Sequence, residues 1–225
     1  TQGVPLQVKE DRNADGQFDY TVFFAAGEPD RYEEDTDHNG TMDAKGSLDS
    51  EGRTTVSERD TNADGQADLR MTFEQGLPVL EERDTRADGR YDVVTILSAG
   101  ERQEQRIDTK GNGAFDTLLI FESDRPARQQ RDTTGDGAFD QWVVYDAEER
   151  PVREEFDANA DQKPDLIRTY ASGQPIGEEL DADFDGHFEQ TSVFEQGLLS
   201  ATRTDRDRDG RNEILITYQA GKRTQ

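Results

Sequence analysis

Nine times along this chain an aspartate opens a short polar run that a second acid closes at position 9, and in seven of the nine oxygen-bearing side chains stand at positions 1, 3 and 5. The runs begin at Asp11, Asp35, Asp60, Asp84, Asp108, Asp132, Asp157, Asp181 and Asp205. Their spacing of 24 or 25 residues makes the chain a tandem array of one small unit. Oxygen ligands at positions 1, 3 and 5, a backbone carbonyl at 7 and a glycine at 6, where the chain turns sharply, suit a hard cation with six to eight oxygen ligands. Ca²⁺ is the ion of that kind. A helix–loop–helix site would add a bidentate Glu at position 12. Here that position holds Val22, Gly46, Met71, Thr95, Leu119, Val143, Arg168, Ser192 or Ile216. Position 9 is acidic instead, as Asp19, Asp43, Asp68, Asp92, Asp116, Asp140, Asp165, Glu189 and Glu213, so the loop is expected to close three residues early. Asp, Asn and Gly also form plain turns, but turn preference does not require an acid at position 9 in all nine copies.

The loops are not equivalent. Five carry a complete ligand set: Asp11, Asn13, Asp15 and Asp19; Asp35, Asp37, Asn39 and Asp43; Asp60, Asn62, Asp64 and Asp68; Asp181, Asp183, Asp185 and Glu189; and Asp205, Asp207, Asp209 and Glu213. Two are altered and are expected to bind less tightly. One has the weaker hydroxyl ligand Thr134 among Asp132, Asp136 and Asp140; the other keeps Asp157, Asn159, Asp161 and Asp165 but has Gln162 in place of the glycine. The loops at Asp84 and Asp108 place Arg86 and Lys110 at position 3. Such a cation either swings outward and leaves the remaining oxygens to an ion, or folds inward and neutralises the site itself. The expected load is six or seven Ca²⁺, with nine as the ceiling.

The shortened loop resembles the Ca²⁺ loops between β-strands of the integrin alpha-chain propeller, and its first half resembles those of dockerin and the type 3 thrombospondin repeat. The resemblance covers nine residues per repeat and implies an EF-hand-like loop and its ion, not a partner. Tyr145-Asp146-Ala147-Glu148-Glu149-Arg150-Pro151, and more loosely Leu48 to Arg53, also resemble the tyrosine-aspartate repeats of bacterial Rhs toxins, which implies a continuous β-wall.

Holding such loops calls for strands. Five residues after each position-9 acid stands Phe24, Leu48, Phe73, Leu97, Phe121, Tyr145, Tyr170, Phe194 or Tyr218. Counting back by twos reaches Phe18, Tyr20, Val22 and Phe24, or Phe115, Thr117, Leu119 and Phe121, a period that puts them on one strand face. A turn follows, as at Ala26-Gly27, Gln75-Gly76, Ala99-Gly100, Ser172-Gly173 and Gln196-Gly197. The return strand is polar. Pro5, Pro29, Pro78, Pro126, Pro151 and Pro175 stand six residues before a loop's first Asp, at strand starts where a missing N–H does least harm. Strand, turn, strand, loop gives an all-β antiparallel hairpin repeat, a meander of about 18 strands with every calcium loop along one edge. It would be coiled, ring-closed or solenoid-like so as to bury its apolar face. The opposite face is apolar only at Val94, Ile96, Leu118, Ile120, Trp142 and Val144. The aromatic stripe is expected to be core, and Trp142 is the candidate surface contact. Residues 1–225 form one array with half-hairpins at both ends, Pro5 to Glu10 and Ile214 to Tyr218. These would close a ring, link copies head to tail, or mark the edge of a longer protein.

With 51 acidic against 26 basic residues, a net charge of -25 and 31% hydrophobic content, the metal-free chain lies near the composition of disordered proteins. Nucleic acid would be repelled. No segment reads as a membrane span, and the absence of cysteine excludes disulfides and thiolate metal sites. Dependence on calcium points to the cell exterior or surface, a periplasm being the alternative. A catalytic role has little to stand on. The two histidines, His38 and His187, occupy variable loop positions, and no acid pair stands apart from the repeat. The expected role is a structural scaffold or adhesive repeat protein. The alternatives are a calcium-dependent module binding a cell-surface protein or glycan, and a subunit of a head-to-tail filament made of copies of itself.

Overall fold

The segments between loops alternate in polarity and are rich in Val, Ile, Thr, Phe and Tyr, a composition that favours extended backbone. In the computed structural model all of them are antiparallel strands, and no helix occurs among the described residues. The structure describes residues 4–219 and the backbone of 222–223. Two units make up the chain, Thr1–Phe115 and Asp116–Gln225.

The first unit contains β1 (Gln7–Glu10), β2 (Tyr20–Ala25), β3 (Glu28–Glu34), β4 (Ala44–Leu48), β5 (Thr54–Arg59), β6 (Leu69–Glu74), β7 (Leu77–Arg83), β8 (Val93–Ser98) and β9 (Glu101–Ile107). Each pairs antiparallel with the next, so loops and hairpin turns gather on opposite edges of the sheet. The second unit repeats the scheme with β10 (Thr117–Glu122), β11 (Arg125–Arg131), β12 (Gln141–Tyr145), β13 (Pro151–Phe156), β14 (Leu166–Ala171), β15 (Gln174–Leu180), β16 (Gln190–Glu195), β17 (Leu198–Thr204), β18 (Ile214–Gln219) and β19 (Lys222–Arg223).

Local chemistry explains the turns. Ala26-Gly27 has φ of 54° and 94°, and Ser172-Gly173 has 51° and 77°. Positive φ at both central residues is the I′ geometry whose twist matches the flanking strands. Asp49 and Asp146 open longer turns, each accepting backbone N–H bonds and the guanidinium of Arg53 or Arg150 four residues on. A register shift follows in each hairpin. Phe23 faces Arg31 while Phe24 faces Pro29, which leaves Asp30 as the extra residue of a β-bulge. The same shift precedes Phe73, Phe121 and Tyr170, each facing a proline. The prolines therefore mark bulges as well as strand starts, where the ladder bond they cannot donate is already interrupted.

Two strand-level expectations are corrected. The period-two stripe does not reach back to Phe18 and Phe115, which precede the strands and are 60% and 41% exposed. The residue at position 9 already donates its N–H to the residue before position 1, as Asp19 does to Glu10 O, so the ladder begins only at position 10. Nor does the aromatic stripe form a continuous core. Phe121 is buried, whereas Phe24, Phe73, Tyr145, Tyr170 and Phe194 are half-buried. Polar residues on the return strands leave little to bury them. Gln105 donates to Thr95, Tyr145 to Gln129 and Tyr170 to Glu154, while Arg168 pairs with Glu178. Among the described residues the buried apolar ones are Tyr32, Phe121, Val143 and Ile167. Trp142 is half-buried, between Gln130 and Glu155 on the neighbouring strands.

Candidate metal centre

Buried aspartates outnumber that apolar core. Asp35, Asp84, Asp108, Asp132, Asp157 and Asp181 at position 1, and Asp19, Asp68, Asp92, Asp116, Asp140 and Asp165 at position 9, are all shielded from solvent. Backbone register aligns them. In the first unit the position-1 N–H of Asp35, Asp60, Asp84 and Asp108 donates to the position-9 carbonyl of Asp19, Asp43, Asp68 and Asp92 in the loop before. In the second unit Asp132, Asp157, Asp181 and Asp205 donate likewise to Asp116, Asp140, Asp165 and Glu189. Neighbouring strands lie about 4.8 Å apart, so position-1 and position-9 acids alternate at that step along each unit's loop edge.

Each loop wraps its acids in its own amides. In all nine the N–H of residue 6 donates to the position-1 carboxylate at 2.7–3.0 Å. The position-5 oxygen accepts from the N–H of residue 7, as Asp15 does from Gln17 and Asp209 from Arg211. The position-9 acid accepts from residues 2 and 3. Asp19 takes Arg12 N at 3.0 Å and Asn13 N at 3.2 Å, while Asp68 takes Thr61 N at 3.0 Å and Thr61 Oγ1 at 2.6 Å. Closure at position 9 is thus made by hydrogen bonds. The hydroxyls of Thr36, Thr61 and Thr85 at position 2 contribute to it, a role that sequence spacing did not reveal.

Position 6 has the positive φ expected of its glycine, for example 92° at Gly16, and Gln162 holds 68° in the loop that lacks one. Position 4 is left-handed too, at Ala14, His38, Ala63, Ala87, Ala160, Phe184 and Arg208, with φ between 55° and 64°. Sequence reading missed this second left-handed residue because most copies have no glycine there. Holding non-glycine residues in that region costs of order 1 kcal/mol each and persists where surrounding bonds over-determine it.

In two loops the acids converge. Asp205, Asp207, Asp209 and Glu213 present ligand oxygens within 4.8 Å of one another, and so do Asp181, Asp183 and Glu189. These are the loops with Glu at position 9, and the extra methylene carries the carboxylate further toward positions 1 and 3. Asp181 is only 1% exposed. Glu189 Oε1 accepts Ala182 N at 2.9 Å, but Glu189 Oε2 is shut off from solvent and has no hydrogen-bond partner among the described residues. Arg208 of the next loop reaches back to Asp183 at 3.5 Å and to Asp185. In the other loops the sequence-expected ligands lie in the same order along the loop, and there, as in these two, ligand oxygens are turned onto local amides.

The amide caps lower the pKa of several carboxyls. Asp19 is held below the ordinary range chiefly by the N–H of Arg12. At Asp84 and Asp108 burial acts to raise the value, and the N–H bonds of Gly89 and Gly113 lead the groups that outweigh it. Away from the loops, Asp49 and Asp146 are lowered first by the N–H of Arg53 or Arg150 and then by its guanidinium. A depressed folded-state value contributes stability that is present above the unfolded value, about 3.9, and is lost as pH falls through the folded one. Carboxyl-carbon NMR titration is expected to place Asp49 and Asp146 below that reference. The Arg53 and Arg150 amide shifts should move only in the same acid window, and movement near the ordinary value would contradict the capped turn.

No family model matches the chain, and no curated protein matches it. Among solved structures, a mutant S. aureus TarM in complex with fondaparinux, alpha-GlcNAc-glycerol and UDP aligns with 50% of this chain and 20% of its own, at 9% identity and a TM-score of 0.27.

Proposed function

We propose that this chain is an extracellular calcium-binding structural repeat protein, a scaffold or adhesive wall whose loops take up the ion as the strands assemble. The observation that carries the reading is the group around Asp181. A buried carboxylate oxygen without a partner, Glu189 Oε2, lies on a residue whose ligand oxygen is within 4.8 Å of those of Asp181 and Asp183. Leaving such an oxygen unpaired is costly, and a divalent cation would satisfy it. The donor set is all oxygen, which suits Ca²⁺ or Mg²⁺ and disfavours softer metals. The flexible, carboxylate-rich loop with a carbonyl at position 7 favours the larger ion. Asp181, Asp183, Asp185 and Glu189 would hold one ion once Arg208 leaves Asp183 and Asp185, and Asp205, Asp207, Asp209 and Glu213 another. The three other complete loops and the two altered ones would hold the rest. Bound there, the ion would supply positive charge between rows of acids, with a structural rather than catalytic effect.

An exterior location follows from the need for abundant calcium, and no helix among the described residues is long and apolar enough to cross a membrane. The test is native mass spectrometry across a calcium titration. It should add six or seven ions to the intact chain at millimolar Ca²⁺, with Mg²⁺ at the same concentration adding fewer. A chain that stays ion-free would overturn the reading.

A further inference from the structure

Position 3 of the loop at Asp84 is Arg86, and its side chain turns inward. Arg86 Nη1 lies 3.1 Å from Asp92 Oδ2, the position-9 acid of its own loop. Arg86 Nη2 donates to the backbone carbonyls of Asp108 at 2.7 Å and Thr109 at 2.9 Å, the first two residues of the next loop. Space for the guanidinium is provided by Gly111 at position 4 of that loop. A Cβ there would stand 3.3 Å from Arg86 Cζ and Nε, and the corresponding residue elsewhere is Ala, His, Phe or Arg in all but one loop. The loops with Asn at position 3 behave in the opposite sense. Asn13, Asn62 and Asn159 each accept the N–H of residue 5, offering an oxygen where Arg86 offers only donors.

We propose that Arg86 is the resident cation of this loop, a guanidinium standing where the other loops take a metal ion and clasping the loop to its successor without calcium. The inference rests on the calcium reading of the other loops and deepens it. A guanidinium stays charged at every physiological pH, so the clasp cannot be released by proton loss, and an ion entering beside it would meet a like charge. Its planar fork can engage Asp92 and the two carbonyls together, whereas a spherical ion would need carboxylates gathered around it. The contact between these two loops would therefore need no ion in the loop at Asp84.

The test compares the wild-type chain with Arg86→Asn by native mass spectrometry in a calcium titration. Arg86→Asn should bind one more Ca²⁺ than wild type at saturation. The reciprocal variant Asn62→Arg with Ala87→Gly, which supplies the same space in the next loop, should bind one fewer ion. It also provides a readout if Arg86→Asn does not fold. Ions on the wild type with no change in number in either variant would overturn the resident-cation proposal and leave the calcium reading intact. No ions on any form would overturn both.

Discussion

In excess chelator the cooperative β-sheet melt of this protein is expected to vanish, and millimolar Ca²⁺ should restore it. Circular dichroism through a thermal scan reads both arms. The reason lies in what the sheet buries. Position-1 and position-9 acids alternate along each unit's loop edge, while among the described residues the buried apolar set is Tyr32, Phe121, Val143 and Ile167. Local amides satisfy many lone pairs of these acids but do not cancel their charge, and the chain carries a formal net charge of -25. Each bound ion would bring two positive charges into that row. If free Ca²⁺ stands at about ten times the dissociation constant of a weak extracellular-type site, linkage gives roughly 1.4 kcal/mol per site. Six or seven sites then supply about 9 kcal/mol, comparable to the whole stability of an ordinary domain. The same melt with and without calcium would remove the coupling between metal and fold.

Gly46→Val is expected to be the most damaging single change in the sheet of the first unit. Gly46 on β4 sits directly across from Tyr32 on β3 and Ser57 on β5. The Tyr32 ring lies over it, 8% exposed and stacked on Tyr20 with ring centroids 5.6 Å apart. A Cβ on residue 46 would fall 2.4 Å from Val56 O and 2.5 Å from Tyr32 Cε1. Backbone and ring are both in the way, so the strand must shift against Val56 O and the ring must leave as well. Overpacking costs about 1–3 kcal/mol, and re-exposing much of a buried aromatic adds about 1.5 kcal/mol. A loss of about 3 kcal/mol corresponds to roughly 8 °C in melting temperature for a chain of this size. Valine as such is acceptable at this register, since position 12 is Val22 in the first repeat and Val143 in the sixth. Combining Gly46→Val with Tyr32→Ala should cost less than the sum of the two changes, because both act through the same ring. An unchanged melting temperature for Gly46→Val in saturating calcium would refute this packing.

Much of the architecture was legible in the residues. The 24- or 25-residue period, the positive-φ glycines, the Gly-containing two-residue turns and the polarity alternation are local signals. Each acts within a few residues, and together they dictate strand, turn, strand, loop. Other features were not legible, and for specific reasons. Phe18 and Phe115 fit the alternation, yet the hydrogen bonds that close the loop keep them out of the ladder. The bulge opposite Pro29 and its counterparts leaves no compositional mark beyond a proline that strand starts also favour. The left-handed position 4 was hidden because Ala, His, Phe or Arg usually occupies it.

At the site the division is similar. Types and spacing by themselves determined which oxygens belong to each loop, that position 9 closes it, and that Arg86 and Lys110 set two loops apart. They could not determine where Arg86 would point, because swinging out or folding in depends on Gly111 and two carbonyls in the following repeat, 22 to 25 residues away. The tertiary structure decided that direction, the convergence of acids in the two loops with Glu at position 9, and the alignment of buried aspartates along each unit. The first and third follow from the register in which one loop's position-1 N–H meets the previous loop's position-9 carbonyl, and the second from the longer Glu side chain folded within its own loop. A sequence specifies the members of such a row, whereas their distances exist only once strands from successive repeats are paired.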